Sequence, residues 1–273
     1  GFDPVVSPAM GSHGGATAEG QRRTLASIGL TEEALDCPID ASMETTVLGE
    51  SRIGAPVPFS TAAMAADGLL VVNRVKAHTN FTGRFESGLT KMATVGMGKQ
   101  PGAKALHEPA LTQGYVPVLE AAYEVVEQET PLLGGIAIVE NFHDRTALVE
   151  GVAATDLPDA EVPLKERADA YMPTLPYDDI DVLVVDEIGK DISGAGMDTN
   201  VIGRYQVLNT DDPETPDISR IVVRSLTEAT HGNGNGIGLA DITTQSTVDD
   251  LDLGQVYTNA LTSGSLSKAK LPV

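Results

Sequence analysis

The chain has few basic residues, a single cysteine and no long apolar run. Cys37 alone cannot form an intrachain disulfide, and an unpaired thiol is typical of a reducing compartment. With 18 Lys and Arg against 39 Asp and Glu, the net charge of −21 repels phosphate backbones and anionic lipid surfaces. The apolar runs have the length of strands rather than of membrane spans. The sequence therefore predicts a cytoplasmic protein that binds neither nucleic acid nor membrane.

The scarcity of lysine goes with an abundance of aspartate. The 273 residues include 8 Lys and 21 Asp, a composition that keeps a surface hydrated where strong salt screens its self-repulsion. This composition suits a salt-adapted, halophilic protein, and an ordinary acidic enzyme is the alternative. The chain starts at Gly1, almost inside a strand-turn motif. We therefore expect that an N-terminal portion of the protein is missing.

Several familiar catalytic motifs are also missing. The sequence has no GxSxG elbow, no HExxH and no CxxC, and GxGxxG does not follow the first strand. These absences disfavour a serine hydrolase of the elbow type, a zinc peptidase and a dinucleotide-binding domain. The chemistry has to come from other residues.

Strand-like and helix-like segments alternate along the chain. Apolar runs at 4–10, 68–73, 135–140, 180–186 and 220–225 predict strands, with 68–73 and 180–186 fully buried; helical patterns occupy 17–28, 115–129 and 163–170. A long polar, glycine-rich segment covers 74–102. The alternation predicts two α/β domains with parallel or mixed sheets, 1–130 and 131–273, and an active site in the cleft between them.

Three of the five histidines lie in the first 107 residues. His13 lies in a GSHGG turn after a predicted strand, and His78 follows the strand at 68–73. Each histidine taken alone is most simply a hydrogen-bonded surface residue. Two histidines at the tips of two strands of one sheet can, however, converge on one crevice and act as acid and base.

Lys91 and His107 are the other candidates in this half. Lys91 lies among apolar and glycine residues, where burial would favour a neutral, nucleophilic amine; a solvated structural lysine is the alternative. His107 could begin or cap a helix, and a single histidine is a weak sign of a metal site.

The combination of His13, His78, Lys91 and His107 resembles the nickel-pincer lactate racemase family. Their spacings are similar to that family's, since the first two lie 65 positions apart and the last two 16 positions apart, and a weaker likeness covers residues 186–204. Family members also carry an earlier segment with an Asp-x-Thr-Arg type motif, which this chain lacks before His13. We therefore expect that the segment is missing or comes from another chain.

The resemblance implies a role for each candidate. Lys91 would carry a pyridinium bis-thiocarboxylate mononucleotide through a thioamide, and His107 would bind its nickel in a square-planar set. His13 and His78 would move the hydroxyl proton of a lactate-like 2-hydroxy acid during racemisation or epimerisation by hydride transfer. Lys190 would bind the substrate carboxylate; Arg74, Lys76 and Arg84 would hold that carboxylate or the cofactor phosphate. Cofactor-synthesis enzymes are the expected protein partners.

Two other functions stay open at this point. In a zinc hydrolase, His13, His78 and His107 would together bind the metal and activate water. In a non-catalytic protein that binds small anions, the glycine turns and Lys190 would suffice. The sequence does not identify the substrate.

Overall fold

The computed structural model describes residues 1–79, 81–206, 211–263 and 266–272, which form two compact units. Unit 1 comprises Gly1–Ala77 and Gly83–Tyr171, and unit 2 comprises His78–Thr82 and Met172–Val273. The strands of unit 1 are β1 (Thr45–Glu50), β2 (Pro56–Ser60), β3 (Leu69–Arg74), β4 (Leu132–Glu140) and β5 (Thr146–Ala153). Its helices are α1 (Ala18–Ser27), α2 (Glu32–Leu35), α3 (Thr61–Met64), α4 (Leu89–Lys91), α5 (Lys99–Gln113), α6 (Tyr115–Glu129) and α7 (Glu161–Ala170). Unit 2 contains β6 (Asp179–Ile188), β7 (Asp217–Leu226), β8 (Ile242–Thr243), α8 (Gln245–Asp249) and α9 (Leu253–Ser263).

The sheets confirm the α/β class with parallel and mixed sheets. In unit 1, β3 pairs in parallel with β4, and β4 pairs antiparallel with β5; β1 and β2 form a separate antiparallel pair. In unit 2, β6, β7 and β8 pair in parallel. The two units divide after Tyr171, whereas the sequence predicted a division near residue 130. The pairing of β3 with β4 runs across that predicted boundary. The position of the active site relative to the units stays a prediction.

Helix α6 supplies part of the core of unit 1, as its apolar spacing predicts. Val118, Ala122 and Val126 recur every four residues and are buried on one side of the helix. The helix ends at its predicted position, because Pro131 follows and cannot continue the backbone hydrogen bonds. Within the described residues of either unit, no helix has both the length and the apolar composition needed to cross a membrane.

The core of unit 2 lies against β6 and β7. Ile188, Ile221 and Val223 are fully buried there, and Ile237 and Leu239 of a short 3₁₀ turn pack on them. The hydrophobic effect of these side chains stabilises the packing against β6 and β7. This core fixes the strand ends from which the loops of unit 2 emerge.

The prediction that the strands at 68–73 and 180–186 are buried on both faces is wrong. Leu70 and Val72 of β3 are 56% and 58% exposed, whereas Val71 between them is buried. Val182 and Val184 of β6 are each 55% exposed. Alternate residues point outward, as in a sheet that is packed on one face.

Two further segments differ from the predictions. Residues 4–10 form no strand; within them Val6 makes a single bridge to Ile39, because Pro4 and Pro8 have no N–H to donate to a ladder. The polar segment 74–102 contains α4, which continues into a π-helical turn (Met92–Gly96) and then α5. The chain after Gly88 is thus largely helical.

Candidate functional site

His13 lies in a tight glycine turn that leads into α1, as the sequence predicted. The side-chain amide of Gln21 donates to the carbonyl of Gly11 at 2.9 Å and to that of His13 at 3.3 Å. Gln21 is fully buried, so this amide is a fixed part of the turn. The turn also rests on the π-helical segment after Lys91, because Gly11 N donates to the carbonyl of Gly96 at 3.1 Å. His13 itself is exposed.

The glycines of this turn are required by a close approach between two backbones. A Cβ on Gly20 in the first turn of α1 would lie 1.7 Å from the carbonyl oxygen of Gly14. Gly14 itself has φ +67°, in the left-handed region where glycine is favoured. The side chain of Thr17 caps α1 by accepting from Gly20 N at 3.0 Å. Turn and helix therefore form one local unit that carries His13.

Lys91 lies at the end of α4, whose start is held by a buried carboxylate. One oxygen of Glu161 accepts from the backbone N of Thr90 at 2.9 Å and from its hydroxyl at 2.7 Å. An acceptor oxygen at this end of the helix satisfies donors that have no partner within the helix, while burial raises the pKa of this carboxyl group. Gly88 leaves space for this carboxylate, because a Cβ there would lie 1.6 Å from the other oxygen of Glu161.

Burial changes the protonation of Lys91. Desolvation is the main cause that lowers the pKa of its amine to about 8; the positive charge of Lys76 lowers it further, and the carboxylate of Glu86 opposes both. Roughly a tenth of the amine is then neutral at pH 7, compared with far less than a hundredth for an ordinary lysine. The amine is therefore available as a nucleophile near neutral pH.

Lys76 and His107 lie within electrostatic reach of Lys91. The backbone of Lys76 pairs with Ser87, with N–H to carbonyl distances of 2.9 and 3.2 Å, which fixes it beside the start of α4. His107 on α5 is exposed overall, yet partial desolvation and then the charge of Lys91 lower the pKa of its imidazole. Its ring meets the ring of Tyr115 edge-on, with centroids 5.8 Å apart. A neutral imidazole is the form that binds a metal ion.

The two arginines predicted to bind anions are paired with carboxylates. Arg74 donates to Glu140 at 2.7 Å. Arg84 donates twice to Glu120, at 2.9 and 2.7 Å, and once to Asp159, and these hydrogen bonds raise its pKa. Their positive charges are therefore already balanced locally.

Lys190 lies in the loop after β6, where the sequence placed it. Its backbone N donates to the hydroxyl of Thr230 at 3.1 Å, and its Nζ donates to the carbonyl of Gly194 at 2.6 Å. Desolvation lowers the pKa of its amine. The carbonyl of Gly194 carries no full charge, so this hydrogen bond does not neutralise the ammonium form of Lys190.

His78 makes its contacts within unit 2, although the strand β3 that precedes it belongs to unit 1. Its ring packs against Phe81 with centroids 4.6 Å apart. The amide of Asn200 donates to the carbonyl of His78 at 3.3 Å. Side chains of unit 2 thus hold the backbone beside this imidazole.

The predicted site residues fall into two groups. Unit 1 brings together Lys76, Lys91 and His107, and it also contains His13, Arg74 and Arg84; unit 2 contains His78 and Lys190. Among the described residues, no three His, Cys, Asp or Glu side chains are arranged as a metal site. The alternative of a three-histidine zinc site therefore gains no support from the geometry.

Sequence reasoning missed four buried charged residues near these positions. Lys99 is fully buried and its Nζ donates to the carbonyl of Pro8 at 2.6 Å. Lys268 is 2% exposed and donates to the carbonyl of Thr79 at 3.0 Å. The others are Glu86, paired with Lys165 at 3.0 Å, and Glu161. The only signal for the two lysines was their rarity, since their partners lie far away in the chain.

Comparisons with known proteins identify the fold. No family model matches the chain, and no curated protein matches it. Among solved structures it is similar to that of the lactate racemase apoprotein from Thermoanaerobacterium thermosaccharolyticum, with a TM-score of 0.50 and 11% sequence identity. The match covers 81% of this chain and 60% of that one, so the chain spans less than two thirds of its length. The chain therefore has a lactate racemase-like fold.

Proposed function

We propose that this chain is a racemase or epimerase of a small 2-hydroxy acid that works with a lysine-tethered nickel-pincer nucleotide. The observation that carries the proposal is the placement of Lys91, with a pKa of about 8, within electrostatic reach of His107 in unit 1. The lactate racemase-like fold supports it independently.

The donor chemistry of unit 1 fits such a group. A thioamide link requires a neutral amine, which the desolvation of Lys91 favours, and nickel requires a neutral imidazole, which the lowered pKa of His107 favours. Lys91 would hold the nucleotide covalently and His107 would bind its metal. Lys76 would hold the phosphate, because its charge acts on Lys91 and it therefore lies near the point of attachment, whereas Arg74 and Arg84 donate to carboxylates.

Inversion at a carbon that bears a hydroxyl group, when it proceeds by hydride transfer, needs a hydride acceptor and a base for the hydroxyl proton. The nucleotide, held by Lys91 and His107, would supply the hydride acceptor. His13 or His78 takes the hydroxyl proton as the hydride leaves and returns it afterwards, one histidine for each hand of the substrate. Lys190 binds the substrate carboxylate through its ammonium group.

Isotope retention tests the proposed reaction. The full chain, produced together with the cofactor-synthesis enzymes, is incubated in H₂O with single enantiomers of 2-hydroxy acids that carry deuterium at C2, lactate among them. We expect the opposite enantiomer with the deuterium retained, and a loss of turnover of at least about a hundredfold in His13→Ala and His78→Ala. The exposed His143 provides the control variant His143→Ala. Exchange of the deuterium with solvent, or no inversion of any acid, would contradict the proposal.

Metal analysis tests the role of His107 separately. His107→Ala should keep the cofactor mass on the protein but lose stoichiometric nickel, whereas His143→Ala should keep both. Retention of nickel by His107→Ala would remove His107 from the proposed site.

A further inference from the structure

The segment after β3 is held by side chains that lie more than a hundred residues further along the chain. Residues His78–Thr82 make their contacts with unit 2, although the chain on both sides belongs to unit 1. Two carbonyls in this segment receive three side-chain donors. Asn200 Nδ2 donates to His78 at 3.3 Å, and Thr199 Oγ1 and Lys268 Nζ donate to Thr79 at 3.1 and 3.0 Å.

The donors are themselves fixed. Thr199 is fully buried and Lys268 is 2% exposed, so neither side chain is free to turn toward solvent. The hydroxyl of Tyr205 donates to Oδ1 of Asn200, which directs the other end of that amide toward His78. The carbonyl of Lys268 accepts from Gly236 N at 2.9 Å, which holds the turn that carries the lysine.

Burying the ammonium group of Lys268 against a carbonyl costs desolvation free energy. An apolar side chain of similar length would fill the place of Lys268 without the cost of desolvating a charge. A charge-assisted hydrogen bond is, however, stronger and more directional than one between neutral groups. The arrangement at Thr79 therefore favours precision of the backbone over stability of the fold.

We propose that Lys268, Thr199 and Asn200 are positioning residues for His78. By holding the carbonyls of His78 and Thr79, they keep the imidazole in the direction that proton transfer requires, while Phe81 packs against the ring. Proton transfer depends steeply on such alignment. The part of this inference that concerns catalysis rests on the proposed function of His78; the part that concerns the backbone does not.

Hydrogen exchange of the full chain tests the backbone part without any turnover. Thr199→Val removes the hydroxyl and keeps the shape, Thr199→Ser keeps the hydroxyl, and Lys268→Met removes the ammonium. We expect Thr199→Val and Lys268→Met to speed amide exchange in peptides covering 78–82 about tenfold. Thr199→Ser and peptides from β6 and β7 should stay near wild type. Unchanged exchange at 78–82 in both variants would overturn the inference.

Steady-state kinetics of the cofactor-loaded chain tests the catalytic part. Thr199→Val and Lys268→Met should lower kcat about tenfold and leave KM within twofold, whereas Lys190→Ala should raise KM. Thr199→Ser should restore kcat. A rise in KM with kcat unchanged would overturn the positioning role. If the loaded wild-type chain inverts none of the acids, the proposed function fails, and the exchange result alone decides whether the three donors hold the segment.

Discussion

The two proposed acid–base histidines are held in different ways. The turn at His13 is tied by Gln21, only 8 and 10 residues from the carbonyls it binds. The segment at His78 is tied by side chains that lie 120 to 189 residues further along the chain. A local turn can form as soon as its own residues fold, whereas the segment at His78 is positioned only when unit 2 is complete.

The two regions nevertheless share one feature, a buried lysine that donates to a backbone carbonyl. Lys99 donates to the carbonyl of Pro8, five residues before His13, and Lys268 donates to the carbonyl of Thr79, one residue after His78. Both amines are buried and have a pKa of about 8. A desolvated lysine thus holds the backbone near each histidine. The other contacts differ, because those at His13 come from nearby in the chain and those at His78 from far along it.

The largest expected effect breaks the local turn. Gly20→Ala places a Cβ 1.7 Å from the carbonyl oxygen of Gly14, and both backbones have to move. We expect a loss of about 3 kcal/mol in the free energy of unfolding, larger than the gain in helix propensity from alanine. Chemical denaturation measures it, with Gly151→Ala as the control, since nothing lies within 4 Å of a Cβ there. Equal stability of the two variants would contradict the account of the turn.

The second expected effect is a pH dependence of stability that comes from the two buried lysines, Lys99 and Lys268. Because burial lowers the pKa of Lys99 and Lys268 to about 8, the unfolded chain binds protons that the folded chain has lost between about pH 8 and pH 10.5. The free energy of unfolding should rise across this interval, by about 2 kcal/mol for each lysine.

Lys99→Met and Lys268→Met should each remove part of that rise, and both together should remove a larger part, while Lys91, whose pKa is also about 8, keeps contributing to it. Urea unfolding at pH 7.5 and pH 10 measures the change. The exposed Lys104 provides the control Lys104→Met, which should leave the rise intact. An unchanged rise in the double variant would show that these lysines are not the source.

The third effect loosens the turn without a clash. Gln21→Leu removes the amide that ties the carbonyls of Gly11 and His13, at a cost of about 1 kcal/mol. Exchange should increase in peptides covering 11–16 and stay unchanged at 78–82. Gln100→Leu, at an exposed position of α5, is the control. Faster exchange at 78–82 as well would mean that the two histidines are not held independently.

The smallest effect isolates one donor at His78. Asn200→Asp removes the N–H that faces the carbonyl of His78 and keeps an oxygen for the hydroxyl of Tyr205. Exchange at 78–82 should rise about threefold, which corresponds to somewhat less than 1 kcal/mol. Tyr205→Phe keeps that N–H and should have a smaller effect; the reverse order would contradict the assignment of the donor.

Local patterns in the sequence predicted the elements that depend on nearby residues. Helix α6 has its predicted bounds because its spacing and Pro131 act within a few residues. The exposure of Val182 was not predictable, because an apolar run does not reveal which face of a sheet is covered. The same holds for the site: the turn at His13 was visible in GSHGG, but the partners of Lys268 and Glu161 lie too far along the chain to form a pattern.

The central claim is that Lys91 carries a covalent nucleotide, and intact-mass analysis tests it most directly. The full chain is produced with the cofactor-synthesis enzymes, beside Lys91→Ala and the control Lys104→Ala, and peptide mapping locates any added mass. The account predicts one added group on Lys91 in the wild type and in Lys104→Ala, and none in Lys91→Ala. A wild-type chain without added mass, or an added mass that persists in Lys91→Ala, would contradict it.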